Sequence, residues 1–255
     1  MNRKGYEICF SPTGGTRKAA DLLTGNLFAE TVSIDLTDRR VDFSGIALTE
    51  RDTAVIAVPS YGGRVPEPAV ERISAIRGNG AKAVLLCVYG NRAYEDTLVE
   101  LQDAAKQGGF RVVSAVAAIA EHSVVRQVAA GRPDEEDRRR LTEFAKKIRK
   151  KLSGGDTSEP EIPGSRPYKK RGGGGLVPEA VEGCVQCGLC GKKCPVGAID
   201  PEDSQKVDKA ACISCMRCVA VCPHSARQVS GTTLAAVRSM LEKACLGRNE
   251  PELYI

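Results

Sequence analysis

Apolar and polar positions come in two alternating kinds of block over the first 154 residues. KGYEICF (4–10) is a short apolar run, and TRKAADLLTGNLF after it has helical spacing. TVSIDLTD (31–38) predicts a second strand, and DTAVIAVPSYGG (52–63) a third, unbroken in the manner of strands buried on both faces. Pro68 to Asn79 predicts a helix with Val70, Ile73 and Ile76 on one side. AKAVLLCVYGN (81–91) predicts a fourth strand, and YEDTLVELQDAAKQGG (94–109) an amphipathic helix ending on glycines. FRVVSAVAAIA (110–120) is the fifth strand. Pro133 to Leu152 is the last helix, with proline in its first turn and Leu141, Phe144, Ala145 and Ile148 as its apolar side.

Strands alternating with helices predict an α/β domain: a doubly wound, parallel, five-stranded sheet covered on both faces. Ligands of such sheets sit beyond the carboxyl ends of the strands, where the strand order reverses. The loops at 11–16, 59–63 and 89–95 leave those ends. Residues 153–183 are rich in Gly, Pro and charge, and a flexible stretch of that length spans roughly 30 Å. The expected organisation is a first domain at 1–154, a linker at 155–175 and a small α+β domain at 176–255. Gly231 to Gly247 is the closing helix of the small domain.

The small domain contains an internal repeat. CVQCGLCGKKCPVGAI (184–199) and CISCMRCVAVCPHSAR (212–227) align without a gap at an offset of 28 residues, which predicts a pseudo-twofold unit. Each copy reads C-x2-C-x2-C-x3-C-P, the bacterial ferredoxin run. Zinc also binds paired CxxC motifs, but it takes four ligands at a closed site. Eight cysteines in two identical rows, each followed by proline, suit two 4Fe–4S clusters better. In two-cluster ferredoxins the fourth cysteine of a run ligates the other cluster. Carried over by position, this resemblance assigns Cys184, Cys187, Cys190 and Cys222 to one cluster, and Cys212, Cys215, Cys218 and Cys194 to the other. Cys9, Cys87 and Cys245 have apolar neighbours and are expected in cores.

At the end of the first strand stands SPTGGT (11–16). Hydroxyls and glycines before a helix suit a phosphate, yet the lysine of a nucleotide-triphosphate loop is missing. The motif resembles the FMN phosphate loop of flavodoxins. With the cysteine rows, the whole chain resembles the flavodoxin–ferredoxin fusion proteins of anaerobes. That resemblance implies FMN held by the hydroxyls of Ser11, Thr13 and Thr16 and the amides of Gly14, Gly15 and Thr16, with Lys18 a bystander. Its flavin ring would be met by Pro59, Ser60, Tyr61, Gly62 and Gly63 of the second loop. The third loop would add Tyr89, Gly90, Asn91, Arg92, Tyr94 and Asp96. The chain has no tryptophan, where flavodoxins commonly stack one on the ring, so tyrosine takes that place. EHSVVRQVAAGRPDEED (121–137) is long for a strand–helix connection and is expected to form a short helix, a lid or a partner surface. His122 reads as structural and His224 as a surface residue near a cluster.

The formal net charge of +5 suggests nucleic acid, but two clusters and one flavin phosphate would bring the total to about −1. Residues 176–231 hold six Lys/Arg and six Asp/Glu, so the basic excess (RRR at 138–140, KKIRKK at 146–151, KKR at 169–171) lies in the first domain and linker, mostly as solvated face. No apolar run approaches the length of a membrane span, and MNRKGYEICF lacks a signal-peptide pattern, so a cytoplasmic protein is expected. The expected function is electron transfer between FMN, two 4Fe–4S clusters and a redox partner protein, with no catalytic residue. The alternatives are an oxidoreductase acting on a small substrate at the flavin and, more weakly, a flavin-free iron–sulfur sensor. A homodimer that sets one chain's clusters beside the other's flavin is compatible with the same sequence.

Overall fold

A computed structural model describes residues 4–172 and 175–255; Gly173 and Gly174 of the expected linker lie outside the described residues. Five parallel strands form the body of the first domain: β1 (Lys4–Cys9), β2 (Glu30–Asp35), β3 (Thr53–Pro59), β4 (Lys82–Tyr89) and β5 (Arg111–Ile119). Their order is β2-β1-β3-β4-β5, the flavodoxin-like doubly wound order, whose switch point lies between β1 and β3. The period of two explains the layers. Ile8, Ile56, Val58, Leu85 and Cys87 face one side with helices α2 (Glu67–Ala75) and α3 (Thr97–Gln107). Cys9, Val55, Ala57, Leu86 and Val88 face the other, under α1 (Gly15–Leu27) and α4 (Glu135–Ser153).

The structure departs from the sequence expectation at three places. α2 stops at Ala75 because Arg77 pairs with the backbone before β3: Arg77 N donates to Ile46 O at 3.0 Å. Ile76 is buried all the same, but Val70 is only half-buried. A sixth strand, β8 (Glu252–Tyr254), adds antiparallel to β5, with Ala115, Val116 and Ala117 opposite Tyr254, Leu253 and Glu252. The segment at 121–133 forms turns rather than a helix.

The expected linker is pinned along α3. Asp96 accepts from the amides of Ser165 and Lys169 at 2.8 and 2.7 Å. Asp103 takes a bidentate contact from Arg166, and buried Glu100 holds both Arg64 and Arg171. Beyond it lie β6 (Glu179–Ala180), α5 (Leu189–Lys192), α6 (Arg217–Val221) and β7 (Arg227–Gln228), then α7 (Gly231–Ala244). α7 packs through Leu234, Val237 and Leu241 onto Val124, Val125 and Val128 of the first domain.

Candidate flavin and cluster sites

A cavity of about 350 Å³ opens beyond the carboxyl ends of β3 and β4 and the amino end of α1, within the range of small-molecule sites. Thr13, Gly15 and Thr16 line it. Gly14 has φ +93°, a turn that only glycine makes cheaply, and it starts α1 at the cavity wall. Ser11 shapes the loop without lining the cavity: its hydroxyl accepts from Arg17 N at 2.9 Å. The Arg17 side chain is drawn away to the buried carboxylate of Glu7 and to Ser33, and Lys18 is exposed. The helix amides and hydroxyls therefore face a phosphate-sized end without a cation from their own helix.

From the second loop Pro59, Ser60, Tyr61 and Gly62 line the cavity. Ser60 is fixed by its amide on Val88 O at 2.8 Å and by its hydroxyl against Thr97 at 2.7 Å. Burial, with Cys215 beside it, pushes the Tyr61 hydroxyl well above its ordinary pKa, so the ring stays neutral. From the third loop Tyr89, Gly90 and Arg92 line the cavity. A Cβ on Gly90 would lie 2.4 Å from the His122 ring, so the glycine exists to let the imidazole in.

Four other loop residues serve the fold instead. Gly63 sits under Glu95, and a Cβ there would strike that side chain. The Asn91 side chain binds the returning tail, with Nδ2 donating to Gly247 O at 2.6 Å and Oδ1 accepting from Asn249 N at 3.0 Å. Tyr94 pairs its hydroxyl with Tyr254 at 2.7 Å and packs edge-on against Tyr89. Asp96 holds the linker, as described above. The expected ring contacts of these four are not what their side chains do here.

Sequence reasoning missed other walls. His122 accepts from the amides of Val124 and Val125 on Nδ1 at 3.2 and 3.1 Å, which puts its proton on Nε2. Burial and the Arg92 charge lower its pKa, so it presents a neutral N–H donor at the cavity. Arg171, Val237, Met240, Ile213 and Ser214 also line it. The long connection at 121–137 signalled the first of these; nothing local signalled the rest.

The two cysteine rows fold as near copies. Left-handed backbone recurs at paired positions: Gln186 and Ser214, Gly188 and Met216, Gly197 and Ser225. These turns bring Cys184, Cys187, Cys190 and Cys222 around one small cavity, and Cys194, Cys212, Cys215 and Cys218 around another. The fourth cysteine of each row thus joins the other row's set. The first set is the more open, with Cys187 exposed; Cys194, Cys215 and Cys218 are buried. Burial pushes the Cys215 thiol up to about 12 and the Cys218 thiol up to about 11, so metal uptake there must release protons.

Two arginines dock the second set on the first domain. Arg217, between Cys215 and Cys218, donates from Nη1 to the carbonyls of Ser11 and Pro12 at 3.3 and 3.2 Å. Arg72 of α2 donates to Pro195 O at 2.6 Å, next to Cys194. Ile213 and Ser214, between Cys212 and Cys215, are part of both the cysteine turn and the cavity wall.

Residues 183–227 match the family model of a 4Fe–4S dicluster domain. Over 45 residues the chain is 44% identical to one subunit of the ion-translocating oxidoreductase complex of Methanosarcina acetivorans, a stretch that is 17% of this chain and 17% of that relative. Among solved structures, a flavodoxin of Streptococcus pneumoniae TIGR4 superposes with TM-score 0.41 at 22% identity, covering 58% of this chain and 99% of that one. A flavodoxin from the domain Archaea gives 0.43 at 12% identity over 59% of this chain and 99% of that one. The fold assignment rests on the strand order itself. Among the described residues no helix is long and apolar enough to cross a membrane. The chain joins an α/β domain of flavodoxin-like strand order to a segment that matches the 4Fe–4S dicluster model.

Proposed function

We propose that this chain transfers electrons between FMN, bound in the 350 Å³ cavity, and two 4Fe–4S clusters that exchange with a redox partner protein. When bound, FMN exchanges electrons in pairs or singly, and each cluster carries one at a time. The reading is carried by one observation: Ile213 and Ser214, inside the Cys212–Cys215 turn, wall the same cavity as Thr13 and Thr16.

The residues divide the work. Thr13, Thr16 and the first amides of α1 hold the phosphate. Tyr61 offers a flat, neutral ring, and His122 a fixed N–H donor. Cys194, Cys212, Cys215 and Cys218 are the ligands of an inner cluster beside Tyr61. Cys184, Cys187, Cys190 and Cys222 are those of an outer cluster. The exposed Cys187 and the neighbouring Val185, 59% exposed, mark where a partner approaches. Docking through Arg72 and Arg217 supplies a path within one chain, without a second copy.

Anaerobically purified protein is expected to contain about one FMN and about eight iron atoms. Zinc in their place, or no iron after anaerobic reconstitution, refutes the proposal. So does a Thr13→Ala/Thr16→Ala double variant with unchanged flavin content and affinity.

A further inference from the structure

Arg227 is among the largest fully buried side chains of the molecule, at 2% exposure. Its Nη1 donates to Ser204 O at 2.6 Å. Its Nε and Nη2 have no partner, and no carboxylate among the described residues lies within ion-pair distance. Glu179, which feels the charge, is exposed and holds Lys209 at 2.7 Å. Burying a guanidinium without a counter-ion is costly, so one with two idle N–H groups points to an anion.

The surroundings say which anion. Arg227 lines the cavity of Cys184, Cys187, Cys190 and Cys222, and its charge also acts on Cys218, from the other set. The repeat sharpens this. At the offset of 28, Arg227 stands where the first row has Ile199, itself buried and lining the inner cavity. The preceding alanines, Ala198 and Ala226, are buried alike. An apolar residue satisfies that position in one copy, so packing alone does not call for arginine in the other.

We propose that Arg227 is a cation shared by the two iron–sulfur sites, its Nε and Nη2 donating to cluster or thiolate sulfur, and that it makes the outer cluster easier to reduce than an Ile199-like environment would. This rests on the cluster reading above. Each one-electron reduction adds a negative charge to a cluster that already carries about −2 when oxidised. A fixed cation and N–H···S bonds favour the reduced form.

The test is an anaerobic redox titration of the full-length, reconstituted protein, followed by electron paramagnetic resonance with iron analysis alongside. Arg227→Ile, which copies the other repeat, is expected to keep the iron and to make one cluster at least tenfold harder to reduce, a 59 mV shift for a one-electron couple. Arg227→Lys is expected to fall between the two. Iron retained in Arg227→Ile with both couples unmoved overturns the proposal. If Arg227→Ile loses iron, recovery of iron and of the couple in Arg227→Lys supports it, and failure of lysine to recover them overturns it in favour of shape alone. Wild-type protein without iron removes the cluster reading itself, a result that the iron analysis reports separately.

Discussion

The two cysteine rows share ligand spacing, crossing fourth cysteine and left-handed turns, yet they differ wherever a charge meets a cluster cavity. Arg217 in the second row replaces Leu189 of the first and reaches out to the carbonyls of Ser11 and Pro12. Arg227 replaces Ile199 and stays inside. The scaffold needs the repeat; direction needs the differences. One row carries the contact with the first domain, while the other keeps an exposed cysteine.

The comparison breaks most severely at the fourth cysteines. Cys222→Ser is expected to halve the iron while the remaining inner cluster still exchanges electrons with the flavin. Cys194→Ser is expected to halve it too, but to leave the flavin isolated. Iron analysis and rapid-mixing spectroscopy of the two variants check this, and identical behaviour would erase the distinction between inner and outer. Next in size is docking. Hydrogen bonds from a charged donor contribute about 1.5–3 kcal/mol each, so Arg72→Ala/Arg217→Ala is expected to slow flavin–cluster exchange at least tenfold with full cofactor content. Oxygen or a chelator is expected to remove the outer cluster first, because Cys187 is exposed whereas Cys194, Cys215 and Cys218 are buried. Time-resolved iron loss with electron paramagnetic resonance distinguishes the two.

The smallest effect concerns the tail. Arg248 holds the Asp134 carboxyl well below its ordinary range. A depressed carboxyl stabilises the fold above its unfolded value of about 3.9 and loses that contribution as pH falls below it. Both side chains are about two-fifths exposed, so the pair is worth less than about 1 kcal/mol. The melting temperature of Arg248→Ala is expected to trail the parent slightly at pH 7 and to converge with it below about pH 4.

Much of this was legible because it is local. Unbroken runs such as 53–59 read as strands covered on both faces, and the resemblance to two-cluster ferredoxins implied which cysteines group across the rows. The rest depends on contacts remote in sequence. Asn91 and Tyr94 sit in a loop of the right place and chemistry, but residues 247–254 return to claim them. The Gly- and Pro-rich linker has the composition of a flexible tether, yet Asp96, Glu100 and Asp103 on and beside α3 fix it. β8 has three residues and no pattern of its own; only the free edge of β5 makes it a strand. The roof of the cavity comes from α7 and the 213–214 turn, elements that nothing near the phosphate loop announces.

The return of β8 to the sheet has a topological consequence. Because the polypeptide leaves the first domain along α3 and rejoins it at β5, the cluster unit is an insertion rather than an appendage. An appendage swings on one hinge; an insertion held at both ends moves only as far as two anchors allow. Local fraying at residues 252–254 would therefore first release Tyr94, which packs edge-on against Tyr89 of the cavity wall.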